Sequence, residues 1–315
     1  MLTAMPGRAA FEEQLGPLRQ ELAGYCYRML GSAFDADDAV QETLVRAWRG
    51  LDRFAGRAAL RTWLFTIATR VCLDALKGAR RRALPTDVTD ELGPAHPRET
   101  WVEPVPDHWV LDPARVAVER ESVRLAFVAA LQVLSPRQRA VLLLRDVLRW
   151  RAKEVAELLD TTEDAVNAVL KRARAALPAP APAPLSGDDR ALLARYVDAF
   201  ERFDIGALVA LLHDEATLSM PPYDITLIGP ASIAAWFRSR RAECEGALLV
   251  PLEVNGGAGL GQYRRDRGGP GHHAFAIHAL TTAGGRITAL YTFLDPALFP
   301  LFGLPEAVTE HLPFS

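Results

Sequence analysis

Apolar residues recur at helical spacing through the first 177 positions and then give way to shorter, strand-like runs. Residues 11–30 carry Phe11, Leu15, Leu18, Leu22, Tyr25, Cys26 and Met29, which predicts an amphipathic helix ended by Gly31-Ser32. A second helix is expected to start on Asp35-Ala36-Asp37-Asp38, since carboxylates suit the positive end of a helix. It puts Val40, Leu44, Ala47, Trp48 and Leu51 on one inward face. A basic turn, residues 52–57, leads to a third helix over 59–77 with Leu60, Leu64, Ile67, Val71 and Ala75 as its buried stripe. Its opposite side holds Thr62, Thr66, Thr69, Arg70 and Lys77, with Trp63 at the seam and Arg80-Arg81-Arg82 following. Hydroxyls and cations bordered by aromatics suit a nucleic-acid strand.

The pattern dissolves over 83–113, where six prolines preclude a continuous helix and acids such as Asp87, Asp90, Glu91, Glu99, Glu103 and Asp107 resist DNA. Trp101 and Trp109 imply that part of this segment docks. Helical spacing returns from Ala114 to Leu134, and Ser135-Pro136 caps another helix over 137–148. Residues 152–159, the turn Asp160-Thr161-Thr162 and residues 163–177 then read as a helix-turn-helix. In its last helix Val166, Val169, Leu170, Ala173 and Leu177 face inward. Asn167, Lys171, Arg172 and Arg174 face outward, where cations neutralise phosphates and Asn167 and Lys171 reach base edges.

Charge sharpens this division. The chain has 315 residues and a net charge of −3. Its first 177 residues carry 26 Lys+Arg against 24 Asp+Glu, and the rest carry 10 against 15. DNA contact must therefore come from local basic faces. Three scattered cysteines, no signal-like N-terminus and no apolar run of membrane length suggest a soluble cytoplasmic protein without a disulfide framework. The expected organisation is a helical domain at 11–82, a Pro/acid-rich linker at 83–113, a helix-turn-helix domain at 114–177, a stiff Pro-Ala spacer at 178–187 and a further domain at 188–305. The alternating Pro-Ala run favours polyproline II, about 20 Å long.

Asp35-Ala36-Asp37-Asp38-Ala39-Val40-Gln41-Glu42, then Trp48, then Phe54 to Leu64 resemble conserved region 2 of sigma-70 family sigma factors, extracytoplasmic-function group. Residues 134–139, 154–159 and 165–174 resemble region 4 of the same family. The resemblance implies two all-α sigma domains and two partners, core RNA polymerase (clamp helices and flap) and promoter DNA. It assigns Asp37, Asp38, Gln41, Glu42 and Arg46 to polymerase binding. Minus-10 capture and melting would fall to Arg57, Arg61, Thr62, Trp63, Thr66, Thr69, Arg70, Lys77, Arg80 and Arg81. Minus-35 binding would fall to Lys153, Thr162, Asn167, Lys171, Arg172 and Arg174. Asp160 stands where the family often has Gly, and Asp tolerates the left-handed conformation. By the same resemblance the linker threads toward the polymerase's RNA path; read from its residues alone it is equally a solvated tether.

Residues 188–303 run helix, helix, two short strands, helix, then four strand-like runs, which predicts an α+β cone with a curved antiparallel sheet. The order, the run Ala194–Phe200, the Met220-Pro221-Pro222 turn and the closing 295–305 segment resemble SnoaL-like domains appended to one group of these sigma factors. Such a domain is expected to modulate activity and has room for a small-molecule ligand. His213, Asp214, Tyr223, Asp224, Trp236 and His278 are its candidate chemical groups, at no spacing that compels one site. His213 is expected to end a helix, and His272-His273 to point to opposite strand faces. Residues 256–261 fail the dinucleotide-binding spacing and read as a turn. No cofactor, metal or catalytic residue is expected. Two other readings remain: a ligand-sensing helix-turn-helix regulator, and a SnoaL-type enzyme fused to a regulatory helical region.

Overall fold

The computed structural model describes residues 8–54, 59–111, 116–177, 188–266, 268–269 and 271–309. The expected Pro-Ala spacer and Arg57 lie outside these residues. The chain forms two compact units, one from residues 1–83 and 108–180 and the other from 84–107 and 181–315.

The first unit is helical. It contains α1 (Arg8–Leu30), α2 (Ala33–Gly50) and α3 (Leu60–Ala75), then α4 (Asp107–Val110), α5 (Val116–Val123), α6 (Leu125–Leu131), α7 (Pro136–Leu142), α8 (Ala152–Leu158) and α9 (Glu163–Ala176). The expected helix over 114–134 is two helices, because Arg124 adopts an extended conformation between them. α2 starts two residues before Asp35: the Ser32 hydroxyl accepts from the Asp35 amide at 3.1 Å and is the cap. The buried face of α3 is rotated from the expected stripe and comprises Leu64, Phe65, Ala68, Thr69, Val71 and Cys72, while Ala75 is exposed. Thr69 takes an inward place because its hydroxyl is doubly satisfied, by the Phe65 carbonyl at 2.7 Å and the Tyr25 hydroxyl at 2.8 Å.

Within this unit the helix-turn-helix half packs on the N-terminal half. Arg139 is the buried tie. Its guanidinium donates to the Met29 carbonyl, to Gln132 Oε1 at 2.5 Å and to the Leu134 carbonyl at 3.3 Å. Burial, reinforced by the nearby Arg81 charge, pulls its pKa down to about 10, so it stays charged at neutral pH. Arg28 bonds Ser122 across the same junction, at 2.7 Å to the hydroxyl and 3.0 Å to the carbonyl.

The second unit is a mixed sheet with helices on one face. Its elements are α10 (Asp188–Glu201), α11 (Ile205–Ala210), β1 (Leu212–Ser219), β2 (Thr226–Ile228), α12 (Pro230–Ser239), α13 (Arg241–Cys244), β3 (Leu248–Val254), β4 (Gly257–Arg265), β5 (His272–Ala283), β6 (Arg286–Phe293) and β7 (Ala307–Val308). The strand order is β2-β1-β6-β5-β4-β3, with β7 on β5. The sheet is not wholly antiparallel as expected, since β1 runs parallel to β6. These two strands are separated by the whole of α12 through β5, and that long connection permits the parallel pairing. Tyr196, Phe200, Ile233 and Phe237 of the helices pack with Leu260, Leu280 and Leu290 of the sheet to form the core. Beside them the His278 imidazole is 3 % exposed, its nitrogens bonded to Thr292 Oγ1 and Gln262 Oε1, both at 2.9 Å. Asn255 (φ 52°) and Gly256 (φ 72°) make the tight turn between β3 and β4. A Cβ on Gly259 would lie 2.6 Å from the His278 carbonyl and 2.4 Å from Val254 Cγ2, so only glycine fits there.

Residues 84–107 belong to this unit. The Thr86 and Asp87 amides donate to Asp224 Oδ1 (2.8 and 3.2 Å), the Thr226 amide donates to the Asp87 carbonyl (2.7 Å), and the His96 amide donates to the Pro222 carbonyl (2.9 Å). Farther along, the Trp101 indole also donates to the Pro222 carbonyl, at 3.1 Å. The Val105 amide donates to Asn255 Oδ1 and the Asn255 amide to the Val105 carbonyl, both at 3.0 Å. Asp107 Oδ1 accepts from the Gly256 amide at 2.6 Å. Trp101, Val102 and Val105 are buried.

Two stability outcomes follow. Arg139→Ala strands several buried carbonyls and is expected to cost about 3–5 kcal/mol, read as a lower midpoint of denaturant unfolding. His278 is depressed by burial from 6.5 to about 4. The unfolded chain therefore takes up this proton first as pH falls. Stability is unaffected above about pH 6.5 and drops between 6.5 and 4, by on the order of 3 kcal/mol. His278→Gln is expected to flatten that part of a thermal-melting pH profile.

Candidate nucleic-acid interface

α2 presents the acidic face. Asp38, Gln41, Glu42 and Arg46 are exposed and Asp37 is half-buried. Gln41 donates to Asp37 at 2.7 Å and Arg46 to Glu42 at 2.6 Å, exposed i,i+4 bonds that hold the side chains ordered at small energetic gain. Val45 and Trp48 stand among them, each 41 % exposed. Trp48 thus faces outward, contrary to the helical stripe that placed it inward. The stripe fails because small residues, Ala36, Ala39, Thr43 and Ala47, form the actual buried seam. Val45 follows Leu44 directly and so falls outside that stripe.

The strand-binding candidates divide. Thr62, Trp63 and Thr66 are half-buried, while Arg70, Lys77, Arg80 and Arg81 are exposed. Lys77 pairs with Asp74 at 2.6 Å. Trp63 stacks on the buried Phe54 with 4.7 Å between centroids and 27° between planes, so the half-buried indole at the margin of the turn is a platform backed by a second ring. Thr69 is fully buried and leaves the set, for the hydrogen-bonding reason given above. Arg82, last of the basic run, is also withdrawn: it is buried and bonded to Asp35 at 2.7 Å.

Arg61 is held in a particular way. Its guanidinium grips Glu21 through two bonds of 2.5 and 2.8 Å. It also lies 4.9 Å from the Phe65 ring and 5.6 Å from that of Trp150. Trp150 comes from the loop before α8 and meets Phe65 edge-on at 5.7 Å. The helix-turn-helix half therefore roofs this cation.

In that half, α8, a turn with Asp160 at φ 51° and α9 form the expected helix-turn-helix, and Asp160 takes the left-handed conformation. Thr162 caps α9 by accepting from the Ala165 amide at 3.2 Å. Lys153, Thr162, Asn167, Lys171, Arg172 and Arg174 are all exposed. Arg174 is bidentate to Asp146 at 2.6 and 2.8 Å, an exposed pair that a phosphate can replace. Val166, Leu170 and Ala173 are buried beneath.

The cone's six candidate groups are not brought to one site. His213 and Asp214 are exposed on β1, so His213 does not end a helix as expected. Asp224 binds the backbone of residues 86 and 87. Trp236 lies under the Arg240 guanidinium, 4.6 Å from its ring centroid, Tyr223 packs at the core margin, and His278 is locked inside. His272 bonds the Gly246 carbonyl at 2.9 Å while His273 faces Asp266 at 3.5 Å. No group of three or more metal-ligating side chains occurs among the described residues. No described helix is long and apolar enough to cross a membrane.

Three family models match in order along the chain: Sigma-70 region 2 over residues 16–82, Sigma-70 region 4 over 124–177 and the SnoaL-like domain over 193–290. The ECF RNA polymerase sigma factor SigG of Mycobacterium tuberculosis is 46 % identical, over 96 % of this chain and 85 % of that protein. SigJ of the same organism is 31 % identical over 90 % of this chain and 91 % of its own length. The crystal structure of SigJ superposes with a TM-score of 0.64 at 27 % identity, covering 93 % of this chain and all of that one (100 %). Regions 2 and 4 on one helical unit, a SnoaL-like cone on the other and near-full-length likeness to such proteins lead to one conclusion: the chain belongs to the extracytoplasmic-function sigma factors of the sigma-70 family.

Proposed function

We propose that the protein recruits core RNA polymerase in the cytoplasm, recognises the minus-10 and minus-35 elements of a promoter and promotes melting, without chemistry of its own. Its C-terminal cone would modulate that work by holding residues 84–107. The observation that carries this reading is the pair of reciprocal bonds between Val105 and Asn255, with Asp107 on Gly256 beside it. A segment that joins regions 2 and 4 is there engaged by the appended domain.

In this reading the polymerase surface is Asp37, Asp38, Gln41, Glu42 and Arg46, extended by Val45 and Trp48. Exposed Trp48 beside Arg46 offers the residue types enriched at interface hot spots, with the carboxylates as a polar rim. The melted strand is taken by Trp63, Thr62, Thr66 and the cations Arg57, Arg61, Arg70, Lys77, Arg80 and Arg81. Bases stack on the Trp63–Phe54 platform while cations track phosphates. Lys153, Thr162, Asn167, Lys171, Arg172 and Arg174 serve the duplex at the minus-35 element, Asn167 and Lys171 toward base edges and the others toward phosphates.

Arg61 sets a condition on this activity. A strand reaching it must displace Glu21 and the Trp150 roof, so capture requires regions 2 and 4 to part. Parting changes the span that residues 84–107 bridge, and the cone's grip on them resists it. The free protein is then restrained twice, at Trp150 and at Asn255.

Run-off transcription with core polymerase tests the proposal. Asn255→Ala removes one side of the reciprocal bond and is expected to raise output several-fold over the parent. Unchanged or lower output from a folded Asn255→Ala protein would refute restraint by the cone. Val45→Ala combined with Trp48→Ala leaves the folded core intact and is expected to weaken core-polymerase binding about tenfold or more, measured by fluorescence anisotropy.

A further inference from the structure

The charge of the C-terminal half is arranged unevenly. Residues 178–315 hold ten arginines and no lysine. Six of those arginines fall at 238, 240, 241, 264, 265 and 267, in two short stretches whose acids are Glu243, Glu245 and Asp266. The remainder of this half has four arginines against twelve acids. The fold brings the two stretches together. Arg264 reaches Glu243 across 3.8 Å, Arg265 lies against Gly246, and His272 bonds the Gly246 carbonyl. One end of an otherwise acidic cone is therefore cationic.

The guanidinium groups there are pre-ordered. Arg240 lies 4.6 Å from the centroid of Trp236, Arg241 5.2 Å from Phe203 and Arg264 5.2 Å from Phe275. Stacking on a ring fixes the plane of a guanidinium and leaves its N–H edge for an anion, so less side-chain entropy is lost on binding. Arg264, Arg265, His273 and Phe275 border an open cleft of about 580 Å³, with one carboxylate, Asp266, among them and facing His273. Arg238 and Arg265 are exposed. The ion pairs within the patch are exposed or long, such as Arg241–Glu245 and Arg264–Glu243, and a phosphate can exchange with them.

We propose that this arginine end of the cone is a further nucleic-acid contact, binding the phosphate backbone of promoter duplex without reading sequence. It rests on the promoter-binding function proposed above, because once regions 2 and 4 are engaged the tethered cone meets DNA at a high effective concentration. Duplex DNA is favoured as partner by charge complementarity and by the ring-stacked guanidinium forks, which match phosphate oxygens.

The test is holoenzyme binding to a promoter duplex across a potassium chloride series, with full-length protein throughout. The triple variant Arg238→Gln, Arg241→Gln, Arg265→Gln keeps the stacked Arg240 and Arg264. Each lost phosphate contact lowers the slope of log affinity against log salt by about 1, so a fall of about 2–3 is expected, with promoter affinity reduced about tenfold or more at low salt. Arg190→Gln, near the far end of α10, is expected to leave both unchanged. A triple variant with the parent's melting temperature and an unaltered slope overturns the proposal. So does a variant that loses affinity for core polymerase without DNA, since the partner is then protein. Initiation by the parent holoenzyme in the same series separates either outcome from a failure of the sigma-factor reading itself.

Discussion

A proline-rich segment cannot satisfy its backbone internally, because each proline removes a donor and breaks helical hydrogen bonding. That constraint governs residues 84–107, and the cone resolves it. Asp224, Pro222, Thr226 and Asn255 supply the missing partners one after another, and Asp107 answers the Gly256 amide in return. The turn that makes this possible needs positive φ at both Asn255 and Gly256. The strand beyond it needs a glycine at 259, where a Cβ would strike Val254 and the His278 carbonyl. The docking of the linker and the glycine-rich composition of β3–β4 are therefore two sides of one arrangement.

The helical unit is tied by a different principle. Arg139 brings a charge into the interior and distributes it over carbonyls from both halves. Such a tie is strong only while all its partners are present, which makes the junction of regions 2 and 4 specific. Arg61, with Glu21 on one side and Trp150 above, lies at the edge of the same junction.

Most helices and strands were legible from spacing, to within a few residues; α8, α9 and β6 are the clearest cases. What spacing could not show was which of two plausible faces is buried. In α3, Thr69 looks polar until its Tyr25 partner, 44 positions away, is known. In α2, helical spacing puts large Trp48 on the same stripe as Val40 and Ala47, although small residues make the closer seam. The parallel pairing of β1 with β6 is likewise non-local, as is the capture of residues 84–107. Local pattern carries no record of such contacts. The polar face of α9 was legible because exposure leaves periodicity undisturbed, and that of α2 came from the family resemblance, whereas the arginine end of the cone arises from two stretches that are adjacent only in the fold.

The bond between Val105 and Asn255 joins residues 150 positions apart. During synthesis at roughly 5–20 residues per second, the linker leaves the ribosome about 8–30 seconds before its partner turn exists. Trp101, Val102 and Val105 spend that interval uncovered, while α1 to α3 already have all of their own sequence. The nascent chain thus passes through a stage in which region 2 is complete and the segment behind it is unclaimed. The contacts of this segment with the cone are acquired only as the last third of the protein is made.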